Sequence, residues 1–411
     1  MTDTFDLRMN NLAYGGEAIG RLPDGRVVFV PFAIPGELVR VKIIEDKARH
    51  ARGGLVEVLE ASPERVVPRC QHFGTCGGCQ YQHIDYPTQL NAKAAILREQ
   101  LERLGGLKDF PPVEILAASE PWNYRNSMQF HLTQDGKLGF QRANSNQTLA
   151  IRECHLPMEA INRLWPQVEV EPMPGLERIN MRVGVDDELV IVLESSDSLL
   201  VDFSIEDLAV SVVQISPAGS TVLAGSDFLE MEVSGKRFRV SAGSFFQVNT
   251  LQAQAMVSYL TDHLLVNEKM TVLDAYCGVG LFSAFLAPKV KRLVGIEVSV
   301  QACEDFADNL EEFEHVELYE DVVENVLSQV QFDPDVIIMD PPRAGLGAKT
   351  VEGVLTQGAA NLAYISCDPA TLARDGKQLT AGGYLLKNVA LVDMFPQTYH
   401  IESISLWEKN R

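Results

Sequence analysis

From residue 271 onward, short apolar runs of strand length recur with longer intervals between them: TVLDAYCG, KRLVGIEVS, DVIIMDPP and LAYISCDP, with LFSAFLA as a helical stretch after the first. This alternation predicts a parallel α/β sheet, because a parallel connection needs a crossover long enough to hold a helix. Ligands bind such sheets in the crevice outside the carboxyl ends of the strands. Residues just after these runs are therefore the candidates for chemistry.

The rest of the chain keeps other rhythms. Residues 1–60 alternate short apolar runs with turn signals, as in GGEAIGRLPDGRVVFVPFAIPGELVRVKI, which predicts a small β-barrel. Leu90, Ala94, Leu97, Leu101 and Leu104 form one apolar stripe, which predicts a helix over 88–104, ended by Gly105 and Gly106. From about 113 to 240 strand and turn patterns follow without crossover rhythm, so a mostly antiparallel β-rich region is expected. With 411 residues the chain exceeds one ordinary core. The expected division is 1–62, 63–240 and 241–411.

A net charge of -21 sets the chain against broad attraction to nucleic acid. Binding depends on the local field, however, and Arg40, Lys42, Lys47, Arg49 and Arg52 face only Glu45 and Asp46 in the run 40–52. That run reads equally as a solvated hairpin face or as a nucleic-acid contact. No signal sequence and no apolar run of spanning length is present, so a cytoplasmic protein without a membrane partner is expected.

In VLDAYCGVGLFS a buried strand enters a glycine turn and then a helix starting near Leu281. Gly278 and Gly280 leave room for a ligand to approach the backbone. Glu297 ends the next strand, where such folds place a carboxylate on ribose hydroxyls; an exposed strand end is its bland alternative. Asp340 precedes Pro341 and Pro342, whose fixed angles make a rigid loop at the same sheet edge. Cys367 ends the next run, and packing explains it poorly there. In TYHIESISLWEK, Glu402 is a candidate base on an alternating strand; His400, two residues earlier on the same face, is a second, with a structural role as the alternative.

Seven cysteines in a cytosolic chain argue for metal ligation, catalysis or burial rather than disulfides. Cys70, Cys76 and Cys79 share RCQHFGTCGGCQYQH and could surround one metal centre. Cys154, in IRECHLP, is the remaining cysteine outside the α/β domain and the candidate fourth ligand. Four thiolates are compatible with zinc, although the spacing departs from the paired Cys-x-x-Cys of zinc ribbons.

Two resemblances sharpen these readings. The run AYGGEAIGRLPDGRVVFVPFAIPGE resembles a TRAM domain, an OB-type RNA-binding barrel. FFQVN, DAYCGVG, DPPRAGL, SCDPATLARD and HIESISLWE resemble, in order, the motifs of RNA uracil-C5 methyltransferases. The resemblance implies a TRAM barrel, a central β-rich domain and a C-terminal Rossmann-like class I methyltransferase domain, on which the 88–104 helix packs. It implies an S-adenosylmethionine-dependent enzyme that makes 5-methyluridine in ribosomal or transfer RNA, with no obligate protein partner.

By that resemblance Cys367 is the nucleophile, Glu402 the base and Asp340 an active-site carboxylate. Gln247, Tyr276, Gly278, Gly280, Leu281, Glu297, Asp321 and Asp340 line the cofactor, although Leu281 replaces a polar residue common in relatives. Members of the family hold a 4Fe-4S cluster on four cysteines in the pattern of Cys70, Cys76, Cys79 and Cys154. The chemistry suits a cysteine: addition of a thiolate at carbon 6 of uracil makes carbon 5 nucleophilic, and the thiolate can leave afterwards. Rival readings are an amino-group methyltransferase, an iron–sulfur redox or radical enzyme, and a non-catalytic RNA-binding protein. The first and third leave Cys367 and Glu402 without a task, and the second also lacks the usual radical spacing.

Overall fold

The computed structural model describes residues 4–171, 173–201 and 209–410. Its first unit is a sheet of β1 (Thr4–Arg8), β2 (Asn11–Leu12), β3 (Glu17–Arg21), β4 (Val27–Pro31), β5 (Leu38–Asp46) and β6 (His50–Glu60). The order is β1-β5-β6-β4-β3-β2, antiparallel except between β4 and β6. Side chains alternate across these strands, and Val28, Val30, Val39 and Val41 are all fully buried on the inner face. Three register irregularities between β5 and β6 curl the sheet, because a bulge adds local twist and bend. The two ends of the order, β1 and β2, are consecutive in the chain and are joined by Met9 and Asn10 rather than by a ladder.

The outward face of this unit is less free than its basic run suggests. Arg40 pairs with Asp6 and Glu57, Lys47 with Glu45, and Arg52 with Glu17. Lys42 and Arg49 alone in that run lack an ion pair among the described residues.

Helix α1 (Tyr86–Arg103) begins two residues before the expected start, because Asp85 caps it by accepting from the Thr88 amide at 2.9 Å and Pro87 suits its first turn. Its buried face is not the plain apolar stripe expected: Gln89, Lys93 and Gln100 lie inside with Ile96, Leu97 and Leu101, whereas Leu104 is 44 % exposed. After β7 (Glu114–Leu116) comes a seven-stranded sheet of β8 (Ser127–Leu132), β9 (Leu138–Gln141), β10 (Thr148–Ala150), β11 (Leu176–Val183), β12 (Leu189–Ser195), β13 (Ser211–Ser216) and β14 (Gly219–Ala224). Pairing is antiparallel throughout except between β12 and β13. Helix α2 (Glu159–Leu164) closes its core of Phe130, Ile161, Leu164, Ile179 and Met181.

A hairpin of β15 (Phe228–Val233) and β16 (Lys236–Ser241) and helix α3 (Thr250–His263) lead into the C-terminal sheet. That sheet contains β17 (Thr271–Ala275), β18 (Arg292–Glu297), β19 (Val316–Glu320), β20 (Val336–Met339), β21 (Asn361–Ser366), β22 (Tyr384–Val392) and β23 (Glu402–Lys409). Between them lie α4 (Ser283–Leu286), α5 (Val300–Asn309), α6 (Val323–Gln329), α7 (Gly347–Gln357) and α8 (Pro369–Ala381). The order is β19-β18-β17-β20-β21-β23-β22-β7, with β23 antiparallel to both neighbours and every other pair parallel. The expected α/β sheet is thus present, and the upstream segment adds to it: β7 extends its edge and α1 packs on α8. Among the described residues no helix is long and apolar enough to cross a membrane.

A buried ion pair locks α1 to the loop after β22. Lys93 Nζ lies 2.6 Å from Asp393 Oδ1, and both side chains are wholly buried. Removing one partner strands the other charge in a low-dielectric interior. Lys93→Ala should therefore cost about 3–5 kcal/mol of stability, read from the shift of the urea unfolding transition.

Candidate active site

Strand register brings three side chains together. Met339 of β20 pairs in parallel with Tyr364 of β21, and Ser366 of β21 pairs with Ser403 of the antiparallel β23. One step further along each strand, Asp340, Cys367 and Glu402 reach the same edge of the sheet. Gln247 comes to them from the loop before α3, its Nε2 donating to Asp340 Oδ2 at 3.5 Å. Cys367 stands just before Asp368, which caps α8 by accepting from the Ala370 and Thr371 amides at 2.9 Å each. The first sheet also reaches this edge: the Tyr14 hydroxyl donates to Asp368 Oδ2 at 2.9 Å.

Burial and mutual repulsion shift these groups towards their protonated forms. Burial raises the Glu402 carboxyl well above the usual range, the charge of Asp340 adds to this, and Arg343 opposes it. Burial and Asp274 push Asp340 up to about 7. The Cys367 thiol is pushed up to about 12, first by burial and next by Glu402, with Arg343 pulling the other way. His400 does not share a strand face with Glu402, because β23 begins at Glu402 itself. It sits in the preceding loop against Tyr399 and Phe395, and burial pushes it down to about 4, so its ring is neutral.

Beside this edge lies the glycine turn after β17. Tyr276, Gly278 and Gly280 have φ of 64, 52 and 88°, a left-handed run in which Tyr276 is the costly member. Glu297 ties the turn to α5: Oε2 accepts from the Gly278 amide at 3.0 Å and Oε1 from the Val298 and Ser299 amides at 2.8 Å each. The Asp321 amide donates to the Glu297 carbonyl at 3.0 Å, which sets this exposed carboxylate at the end of β19. A Cβ on Gly278 would enter open space, whereas one on Gly280 would lie 2.5 Å from Leu310 Cδ1. Gly278 thus leaves open space beside the turn, whereas Gly280 has no room for a side chain because Phe306 and Leu310 at the end of α5 pack against it. Leu281 is likewise buried in the core with Val279 and Phe282, and α4 begins at Ser283, later than expected.

Cys70, Cys76, Cys79 and Cys154 line one cavity of about 250 Å³. Their loop is stitched to the facing segment by the Gly77 amide on the Gln141 carbonyl and the Gln71 amide on Glu153 Oε1, at 2.9 and 2.7 Å. Burial raises all four thiols, Cys79 to about 12 and Cys154 to about 11. Among the described residues no group of three or more His, Cys, Asp or Glu is arranged to hold a metal ion.

The profile of the tRNA (uracil-5-)-methyltransferases matches residues 192–320 and 302–410, and that of the TRAM domain matches residues 3–56. An uncharacterized RNA methyltransferase of Streptomyces avermitilis is 34% identical, over 99% of this chain and 99% of its own. Another from Gloeobacter violaceus is 32% identical over 99% and 97%.

The chain belongs to the tRNA (uracil-5-)-methyltransferase family.

The crystal structure of Pyrococcus abyssi tRNA (uracil-54, C5)-methyltransferase in complex with S-adenosyl-L-homocysteine shares the fold, with a TM-score of 0.75 at 24% identity over 98% of this chain and 99% of that one. A TRAM domain at the N-terminus and a methyltransferase sheet at the C-terminus therefore stand as expected from the sequence.

Two residues of the site escaped the sequence reading. Asp274 is buried; its Oδ2 accepts from the Ser283 hydroxyl at 2.6 Å, while Oδ1 has no partner. Such an orphaned acceptor calls for a donor, and it lies beneath the glycine turn. Its signal was its place at the end of an apolar run, just before that turn. Arg343, two residues beyond Pro341, carries the positive charge that opposes the upward shifts of Glu402 and Cys367, but an exposed arginine leaves no pattern.

Burial pushes Asp274 up to about 7 as it does Asp340, with the charge of Glu297 adding at Asp274. The raised values set the sign of a pH effect. Stability tied to the protonated forms is complete below the ordinary value of 3.8 and is lost as pH rises through about 7. Asp340→Asn should melt at a higher temperature than the parent at pH 8, with the advantage shrinking towards pH 5, in paired thermal scans.

Proposed function

We propose that this chain transfers a methyl group from S-adenosylmethionine to carbon 5 of a uridine in ribosomal or transfer RNA, through a covalent Cys367–uracil adduct that Glu402 resolves. The observation that carries this reading is the convergence of Cys367, Glu402 and Asp340 at one sheet edge, beside the glycine turn. The orphaned Asp274 Oδ1 and the open space at Gly278 fit a polar ligand in that turn. S-adenosylmethionine, when bound, supplies an electrophilic methyl group. Gln247, Tyr276, Glu297 and Asp321 would hold it, with the Gly278 backbone; Gly280 and Leu281 would shape the turn from within.

Each residue has a task in the reaction. Cys367 Sγ, once deprotonated, forms a bond to carbon 6, and the electron pair displaced from the carbon 5–carbon 6 double bond makes carbon 5 nucleophilic. Arg343 favours the thiolate. After carbon 5 is methylated, Glu402 takes its proton, the double bond re-forms and the sulfur–carbon bond breaks. Glu402 must be ionised to do so, and its burial makes that carboxylate strongly basic. Asp340 holds Gln247 at the edge of the crevice. The uridine must be unstacked, because sulfur and methyl donor need access to adjacent ring carbons. Amino-group methylation would leave Cys367 and Glu402 idle.

In the proposed division of labour residues 1–62 bind RNA, 63–240 carry the cysteine site, and 241–411 perform the chemistry. Cys70, Cys76, Cys79 and Cys154 would hold a 4Fe-4S cluster. Four soft donors around one cavity have the chemistry such a cluster needs, although they do not stand in a ligating arrangement here, and binding would release protons from the thiols. The cluster would supply a covalent tie between two distant segments.

Cys367→Ala should abolish 5-methyluridine in an RNA mass-mapping assay while S-adenosylmethionine affinity stays within about twofold; retained turnover would sink the mechanism. Glu402→Gln should trap a protein–RNA species that survives denaturing electrophoresis, and its absence would assign the base elsewhere. Anaerobically purified protein should be brown and hold about four iron atoms per chain. Stoichiometric zinc without iron would overturn the cluster.

A further inference from the structure

The loop that delivers Glu402 is anchored carbonyl by carbonyl from far upstream. Between Val392 at the end of β22 and Glu402 at the start of β23 the chain forms no strand. The Phe395 carbonyl accepts from Lys93 Nζ at 2.9 Å, and the Pro396 carbonyl from the Tyr124 hydroxyl at 3.1 Å. The Gln397 carbonyl accepts from the backbone amides of Gln80 and Tyr81, at 3.1 and 3.0 Å.

The other side of Gln397 is held as firmly. Its amide donates to Gln89 Oε1 at 3.1 Å, and Gln89 Nε2 donates to Gln397 Oε1 at 3.0 Å and to the Ile84 carbonyl at 2.9 Å. Gln89 and Gln397 are 1 % and 3 % exposed. Gln397 has φ 69°, which a side chain rarely adopts and which persists only where the surroundings over-determine it. Cys79 directly precedes Gln80, so the loop of the cysteine cavity runs without interruption into these anchors.

We propose that residues 80–124 form a clamp that positions Glu402 for proton removal, with Gln89 and Tyr124 as positioning residues. The proposal rests on the reading of Glu402 as the base. The acting atoms bind the backbone of 396–397 and the Gln397 side chain, and leave the reacting atoms to Cys367 and Glu402. Loss of the clamp must therefore slow elimination selectively, because thiol addition and methyl transfer do not use Glu402. A carboxyl displaced by about 1 Å can lose on the order of a hundredfold in rate, whereas damage to the whole fold would slow every step alike.

Single-turnover reactions quenched in denaturant separate the two. Gln89→Met removes the amide acceptor and donor together at similar volume, and it should leave adduct formation within about twofold of the parent while adduct decay slows at least about tenfold. In the Glu402→Gln background the same change should leave adduct formation unaltered, because there is no base left to position. Tyr124→Phe, which removes one hydroxyl and is expected to fold even if Gln89→Met does not, should prolong the adduct by about threefold. Adduct decay at the parental rate in both variants overturns the clamp while leaving Glu402 as base, as does an equal slowing of adduct formation in both backgrounds. Failure of Glu402→Gln to trap any adduct would instead overturn the base, and the clamp with it.

Discussion

Everything at the candidate site depends on one strand running the wrong way. In a wholly parallel sheet only carboxyl ends of strands would reach the crevice. Because β23 lies antiparallel between β21 and β22, its first residue, Glu402, arrives where β20 and β21 finish. A carboxyl is thereby set across from a thiol by backbone hydrogen bonding rather than by a flexible side chain. The consequence is a loop from 393 to 401 that must cross the sheet edge inside the protein. Its carbonyls need partners there, and α1, the segment just before it and Tyr124 supply them.

The same geometry concentrates groups that disfavour one another's charge. Asp274 and Glu402 lie buried and Asp340 half-buried in one region, and Cys367 is raised by burial, Glu402 and Asp340. A site assembled for stability alone would not collect three acids and one exposed cation. Strain of this kind is what reaction sites carry, and the surrounding aliphatic core of β17, β20 and β21 holds it in place.

The N-terminal unit adds a second link. Tyr14 reaches Asp368, the cap of the helix that follows Cys367, and its ring meets Tyr399 edge-on at 6.0 Å. The TRAM unit is thus joined to the reaction edge rather than tethered beside it. Since Arg40, Lys47 and Arg52 are already paired within the unit, its net field is weaker than the run 40–52 implies. Contact with RNA would rest more on shape and on the few unpaired cations than on bulk charge.

The amino-acid sequence by itself determined the local features. Apolar runs of strand length specified the α/β sheet, two closely spaced glycines marked the turn, and Cys367 and Asp340 betrayed themselves as polar residues directly after apolar runs. These signals are short-ranged, because periodicity and turn chemistry act within a few residues. Only the tertiary structure decided that Gly280 serves packing, that His400 lies off the strand, and that Gln89 and Lys93 face inward. Their partners, Gln397 and Asp393, lie about three hundred residues away in the chain. A buried amide or ammonium looks like a surface residue until its partner is in place, since burial without that partner would cost several kcal/mol.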